Sequence, residues 1–256
     1  MTDIGQLTQE SNAPLTARSV LASALLGEDP PVLPVSHLVH LAGLFGINEN
    51  RTRVALSRMA SSGEVTTDGS GRYRLAGHLL ERQGRQTASR RGETRPWRGQ
   101  WRVAVVTASG RAADDRAARR KRLVLARMAE RREGVWMRPD NIDLGPDPSE
   151  DADVELLTGV PDGDPVALAA RLWDLGGWAL RADELGRQLD ALSPSAPADL
   201  ARGFELSASV LRHLQGDPLL PAELLPTGWP GAALRQNYGQ WDRRYRHVLA
   251  VWGRSA

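Results

Sequence analysis

The chain has 256 residues, 41% of them hydrophobic, with 33 basic and 31 acidic side chains, a net charge of +2 and no cysteine. A chain of this length supplies two or three small cores at ~100–200 residues per domain, and the lack of cysteine excludes disulfides and thiolate metal sites, as fits a reducing cytoplasm. No apolar run approaches the ~18 residues of a membrane span, and the polar first residues lack the basic start of a signal peptide, so a soluble, cytoplasmic protein is expected.

Residues 1–14 read as a flexible leader. An apolar helix follows over 15–26, with Thr16 as its cap and Gly27 as its stop. Pro30, Pro31 and Pro34 keep the next residues extended. Ser36 caps a second helix over 37–45, whose Leu38, Leu41, Ala42 and Phe45 fall at helical spacing. Gly46 ends it, and Asn48 opens a third helix to about residue 61. Residues 64–67 and 72–75 read as strands, with Asp68-Gly69-Ser70-Gly71 as the hairpin turn. Three helices and a hairpin in this order predict a winged helix-turn-helix over 15–77.

A basic helical linker, 78–97, comes next. The middle domain, 98–175, reads as a strand at 101–107, a long helix from about 114 to 132, strands at 134–138 and 154–157, and a helix at 165–175. That order predicts a ferredoxin-like module. Residues 176–256 read as a helical carboxy-terminal domain with helices at 182–192, 198–215 and 232–252, interrupted by a proline-rich stretch at 217–231. The predicted fold class is α+β.

Charge is unevenly spread. Residues 1–140 hold 23 basic and 14 acidic side chains, and of all the basic residues only Lys121 is a lysine. A GC-rich genome accounts for arginine over lysine. It does not account for positive charge gathering in one half, whereas contact with a polyanion does.

The third helix carries the most specific pattern. Thr52, Ala55, Leu56 and Met59 share one face, and Asn50, Arg53, Val54, Ser57 and Arg58 share the other, with Arg51 beside them. Forked guanidiniums suit guanine, an amide suits adenine and a valine suits a thymine methyl in the major groove. The hairpin adds Arg72, Tyr73 and Arg74, and the first helix adds Arg18, as contacts to the sugar–phosphate backbone. Arg116, Arg119, Arg120, Lys121, Arg122 and Arg127 suit a solvated face, phosphate contacts, the acidic carboxy-terminal half of a partner or the phosphates of a CoA ester. Trp136, Trp173 and Trp178, with Arg138 and Arg171 for an acidic group, are candidates for an effector pocket. His37 and His40 lie three apart with no third ligand near in sequence, so neither a metal site nor a cofactor is expected.

Leu15-Thr16-Ala17-Arg18-Ser19 and the run Gly46-Ile47-Asn48-Glu49-Asn50-Arg51-Thr52-Arg53-Val54-Ala55-Leu56-Ser57-Arg58-Met59 resemble the PaaX family of repressors. So do Trp97-Arg98-Gly99-Gln100-Trp101 and the run 217–231, with its Asp-Pro, Leu-Pro and Trp-Pro-Gly pattern. Thr52 stands where the family usually has an apolar residue, and Gly176-Gly177-Trp178-Ala179 departs from its pattern. The resemblance implies a homodimer on operator DNA, released by a small-molecule effector such as an acyl-CoA, and no enzymatic activity. The alternative is a metal-dependent nuclease using the ferredoxin-like module. That chemistry wants a carboxylate on the strand 101–107, which carries none.

Overall fold

The structure is a computed structural model that describes residues 16–107, 113–145, 147–193 and 196–254. The leader expected at 1–14 lies outside the described residues. In chain order the elements are α1 (Ala17–Gly27), β1 (Val32–Pro34), α2 (Val35–Gly43), α3 (Glu49–Ser61), β2 (Val65–Thr67), β3 (Arg72–Leu75) and α4 (Gly77–Arg91). There follow β4 (Trp101–Val106), α5 (Ala113–Leu125), β5 (Ala129–Arg132), β6 (Val135–Pro139), β7 (Val154–Gly159), α6 (Pro165–Leu172), α7 (Leu175–Ala191), α8 (Pro197–Gln215) and α9 (Gly231–Arg254). The chain is a mixed α+β protein with two antiparallel sheets. It divides into two units, one of residues 1–87, 192–208 and 241–256, the other of 88–191 and 209–240. The contiguous segments 78–97, 98–175 and 176–256 are therefore not the units of the fold: α8 and α9 each contribute residues to both.

In the first unit, Thr16 caps α1 by accepting the Ser19 amide at 3.1 Å. Val20, Leu21 and Leu25 of α1 are buried with Leu38 and Leu41 of α2 and Leu56 and Met59 of α3. The proline-held segment becomes a strand: β1 pairs with β3, and the sheet runs β1-β3-β2. Proline is tolerated there because β1 is an edge strand. α2 starts at Val35, not after Ser36, because Pro34 fixes the entry angle and the Val35 amide donates to the Gly71 carbonyl at 2.7 Å. Gly46, at φ +68°, turns the chain from α2 into α3 through a conformation other residues resist.

An ion pair joins α1 to the segment that enters β2. The Arg18 guanidinium forks onto Glu64, with Nε 3.1 and 2.9 Å from the two carboxylate oxygens and Nη2 on Oε1. Glu64 is buried, and its carboxyl is held below the usual range mainly by the Arg18 hydrogen bonds, against the cost of burial.

In the second unit the sheet order is β5-β6-β4-β7. One face buries Trp101, Met137 and Ala129 against Leu168, Ala169 and Leu172 of α6 and against Leu220 and Leu224. The other buries Ala104, Trp136 and Val154 under Leu123 of α5. Between β6 and β7 the described residues form only a short 3-10 turn, and α6 follows β7.

The helix expected from 114 to 132 stops at Leu125, and its last residues form β5. The cap has the Schellman pattern: Met128 N–H bonds Leu123 C=O at 3.0 Å, and Arg127 takes φ +57° where glycine is usual. Arginine can sit there because its guanidinium is tied down by the carbonyls of Gln215, at 2.9 Å, and Asp217, and by the Ser89 hydroxyl at 2.8 Å. Arg138, fully buried, donates to the carbonyls of Arg127, Pro139, Pro218 and Leu219 and to the Asn141 side chain at 2.8–3.3 Å. Burial pushes Arg138 down to about 9 and Arg127 to about 10, so both stay charged at neutral pH. α7 also begins seven residues before the expected 182, because the Asp174 carboxylate accepts the Gly177 amide at 2.8 Å and starts the helix there.

Glu64→Gln should lower unfolding free energy by about 1–2 kcal/mol at neutral pH, since charged hydrogen bonds are lost while Arg18 stays half-exposed. The folded carboxyl is depressed, so its contribution exists above the usual glutamate value and disappears as pH falls through the lower folded value. Urea titrations of both proteins should therefore differ at neutral pH and converge in acid. Arg138→Met should cost about 3–5 kcal/mol in the same assay, because it strands several buried carbonyls and Asn141.

Candidate nucleic-acid interface

α3 is capped by Asn48, whose side chain accepts the Arg51 amide at 2.9 Å. Its buried face is Thr52, Leu56 and Met59. The threonine departure is accommodated by back-bonding: Thr52 Oγ1 donates to the Asn48 carbonyl at 3.0 Å, so no polar atom is stranded in the core. With that face packed on α1 and α2, Asn50, Arg51, Arg53, Val54, Ser57 and Arg58 are all exposed.

Arg53 reaches back one turn to Glu49, with Nε and Nη2 both 2.7 Å from Oε1; the two side chains are 56% and 59% exposed. An exposed i,i+4 pair contributes only about 0.3–0.5 kcal/mol, which a base edge or phosphate can replace. Among the described residues no carboxylate pairs with Arg51, Arg58, Arg72 or Arg74.

The β2–β3 hairpin sets the second group. Thr66 pairs with Arg74 and Thr67 with Tyr73. Arg72 and Arg74, two apart, share the exposed side, and Tyr73 lies half-buried on the side of Leu75. At the tip Asp68 accepts the Ser70 hydroxyl at 2.6 Å and the Ser70 amide at 2.9 Å, which hold its carboxyl below the usual range. Arg18, also a candidate contact, is committed to Glu64 through Nε and Nη2, with half of the side chain still exposed.

The effector candidates are not brought together. Trp136 and Trp173 belong to cores on opposite faces of the second sheet. Trp173 stacks on Trp101 at 6.4 Å, and Trp178 lies between His213 and Trp229 at 4.4 and 4.6 Å. Arg171 is exposed on α6. Arg138 is a correction to the sequence reading: its guanidinium is sealed and spent on backbone carbonyls, so it cannot meet an effector's acid.

The basic run on α5 is also committed. Arg119 bonds Asp151 at 2.9 Å and Asp153 at 2.8 Å, Arg122 pairs with Asp151, and Arg120 pairs with Glu130 over the Trp136 ring. Sequence reasoning missed these acids because they lie up to 34 residues away. Among the described residues no group of three His, Asp or Glu side chains is placed to hold a metal ion. No helix among them is long and apolar enough to cross a membrane.

Residues 16–79 match the family described as PaaX-like protein, and residues 177–250 match the PaaX-like protein C-terminal domain. No curated protein matches. Among solved structures, an uncharacterized protein from Mycobacterium tuberculosis, Rv0674, is similar: 42% identity, 92% of this chain and 98% of that one covered, TM-score 0.73. With matches in both terminal stretches and a relative of that identity over nearly its whole length, the chain belongs to the PaaX family.

Proposed function

We propose that this protein is a DNA-binding transcriptional repressor that acts as a homodimer on operator DNA. In this reading α1, α2, α3 and the β2–β3 hairpin are a winged helix-turn-helix, and the polar face of α3 is its recognition surface. The observation that carries it is the division of α3: Thr52, Leu56 and Met59 are sealed, while Asn50, Arg51, Arg53, Val54, Ser57 and Arg58 face solvent. A helix spending its polar face on solubility alone has no need of three arginines, an amide and an exposed valine in groove-reading positions. Arg72 and Arg74 supply cations on the neighbouring wing. Asp68 at the wing tip is anionic, so the strand flank, not the tip, is the part that approaches phosphate.

In the same reading the second sheet, ordered β5-β6-β4-β7 with α6 after β7, is a variant ferredoxin-like module. We assign it to the regulatory half, where a small-molecule effector would favour a state that no longer fits both half-sites. Such a ligand shifts the equilibrium only by its difference in affinity for the two states.

Arg53→Ala and Arg58→Ala should each weaken binding to a selected operator by about 10–100-fold and relax preference at one base position, the expected loss of a bidentate base contact. Arg72→Ala and Arg74→Ala should weaken all sequences alike and lower the slope of log affinity against log salt by about one each. Gel shifts at several salt concentrations separate the two classes. Unfolding curves should stay within about 0.5 kcal/mol of wild type, because all four side chains are exposed. Unchanged affinity in all four variants would sink the assignment.

A further inference from the structure

α1 ends without a basic residue in its last turn, so its carbonyl end has no cation of its own. The cation comes from the far end of the chain. Arg246 on α9 lies against Gly27, the last residue of α1, so closely that a Cβ there would sit 3.1 and 3.4 Å from its two terminal nitrogens. Its Nη1 bonds the Glu28 carboxylate at 3.1 Å, and its Nε bonds the buried Asp242 at 2.9 Å. Glu28 is held a second time, through its carbonyl, by Gln83 of α4 at 2.6 Å.

Two further contacts join the returning chain to α2 and the turn after it. The Trp252 ring lies 3.6 Å from that of His40, whose buried Nε2 has no hydrogen-bond partner, so packing alone holds this ring. Phe204 of α8 meets Phe45 edge-on at 5.2 Å. α9 is itself anchored within the same unit by the Tyr245 hydroxyl on the Leu200 carbonyl at 2.6 Å and by Trp241 Nε1 on the Leu192 carbonyl at 3.2 Å.

α3 packs on α1 and α2. We propose that Arg246 and Trp252 are positioning residues for DNA reading: α9 clasps α1 and α2 and thereby fixes the platform that aims α3. The inference rests on the DNA-binding reading above. Neither residue touches nucleic acid in this account. Each raises the fraction of molecules whose α3 is held ready to dock, and apparent affinity scales with that fraction.

Two measurements on the full chain test it. In amide hydrogen exchange without DNA, Arg246→Ala and Trp252→Ala should speed exchange over residues 35–61 and leave β4–β7 at wild-type rates; unchanged exchange over 35–61 overturns the clasp. If Arg246→Ala fails to fold, Glu28→Gln breaks the same pair from the half-exposed partner. The second probe is a duplex selected from a random library by the wild-type protein. Both variants should bind it about fivefold more weakly with an unchanged salt slope, as a smaller competent fraction requires. Arg246→Lys should recover part of the loss, because it keeps the charge and gives up the fork. A slope lowered by about one would make Arg246 a phosphate contact and overturn the positioning role. If the wild-type protein selects no duplex, the DNA-binding reading falls and the positioning role with it, whatever the exchange data show about the clasp.

Discussion

The second unit is organised about one buried cation. Arg138 bridges the carbonyls of Arg127 and Leu219, the two described non-glycine residues with positive φ, at 57° and 50°. Each of these conformations is unfavourable alone, costing on the order of 1 kcal/mol. Arg127 at the end of α5 then reaches the carbonyls of Gln215 and Asp217, and the Asp217 carboxylate accepts Leu219 N–H at 3.0 Å and Arg235 at 2.7 Å. The irregular proline-rich segment has few backbone bonds of its own, so guanidiniums take the place of a ladder. A lysine at 138 would present three donors from a point and leave carbonyls unmatched.

The same side chain serves elsewhere as a surface cation, and the difference is the local supply of acceptors. Arg18, Arg119 and Arg122 face carboxylates, Arg127 and Arg138 face carbonyls, and Arg235 bonds one of each. Arg51, Arg58, Arg72 and Arg74 face no carboxylate among the described residues, and Arg53 has only an exposed neighbour on its own helix. Part of the positive charge of the first half of the sequence is thus left without an internal carboxylate on α3 and the hairpin. Net charge alone did not single out that surface, because the α5 run is as basic in sequence and is largely neutralised in the fold.

What the sequence made legible was local. The α3 stripe, the Thr16 cap and the start of α3 beside Asn48 rest on neighbours within four residues, the hairpin on partners within ten, and each stands as expected. The misreadings were non-local. The end of α5 was hidden because an arginine, not a glycine, takes the left-handed position, and the bonds that hold it come from up to 90 residues away. Arg138 looked like a ligand-binding cation because its acceptors are backbone carbonyls, which every residue carries and no pattern marks. β1 was read only as extended because its pairing depends on a strand 40 residues on. The early start of α7 was masked by two glycines that argue against a helix until the Asp174 cap is seen.

The largest difference concerns where one unit stops. A reading by contiguous segments closes the first module at residue 77, since the helix–helix–helix–hairpin pattern is complete there. The fold adds residues 192–208 and 241–256 to it. The reason lies in the composition of α1 and α2: the carbonyl end of α1 lacks a cation, and α2 carries His40 where it offers a ring but no partner for its nitrogen. α9 supplies the cation, from 218 residues beyond Glu28, and lays the Trp252 ring against His40, whose nitrogen stays without a bond. A helix end without its own counter-charge and a buried ring without a bond signal that a missing neighbour must come from elsewhere in the chain. Here the neighbour is α9 of the same chain, so the unit that holds α3 includes residues far from it in sequence.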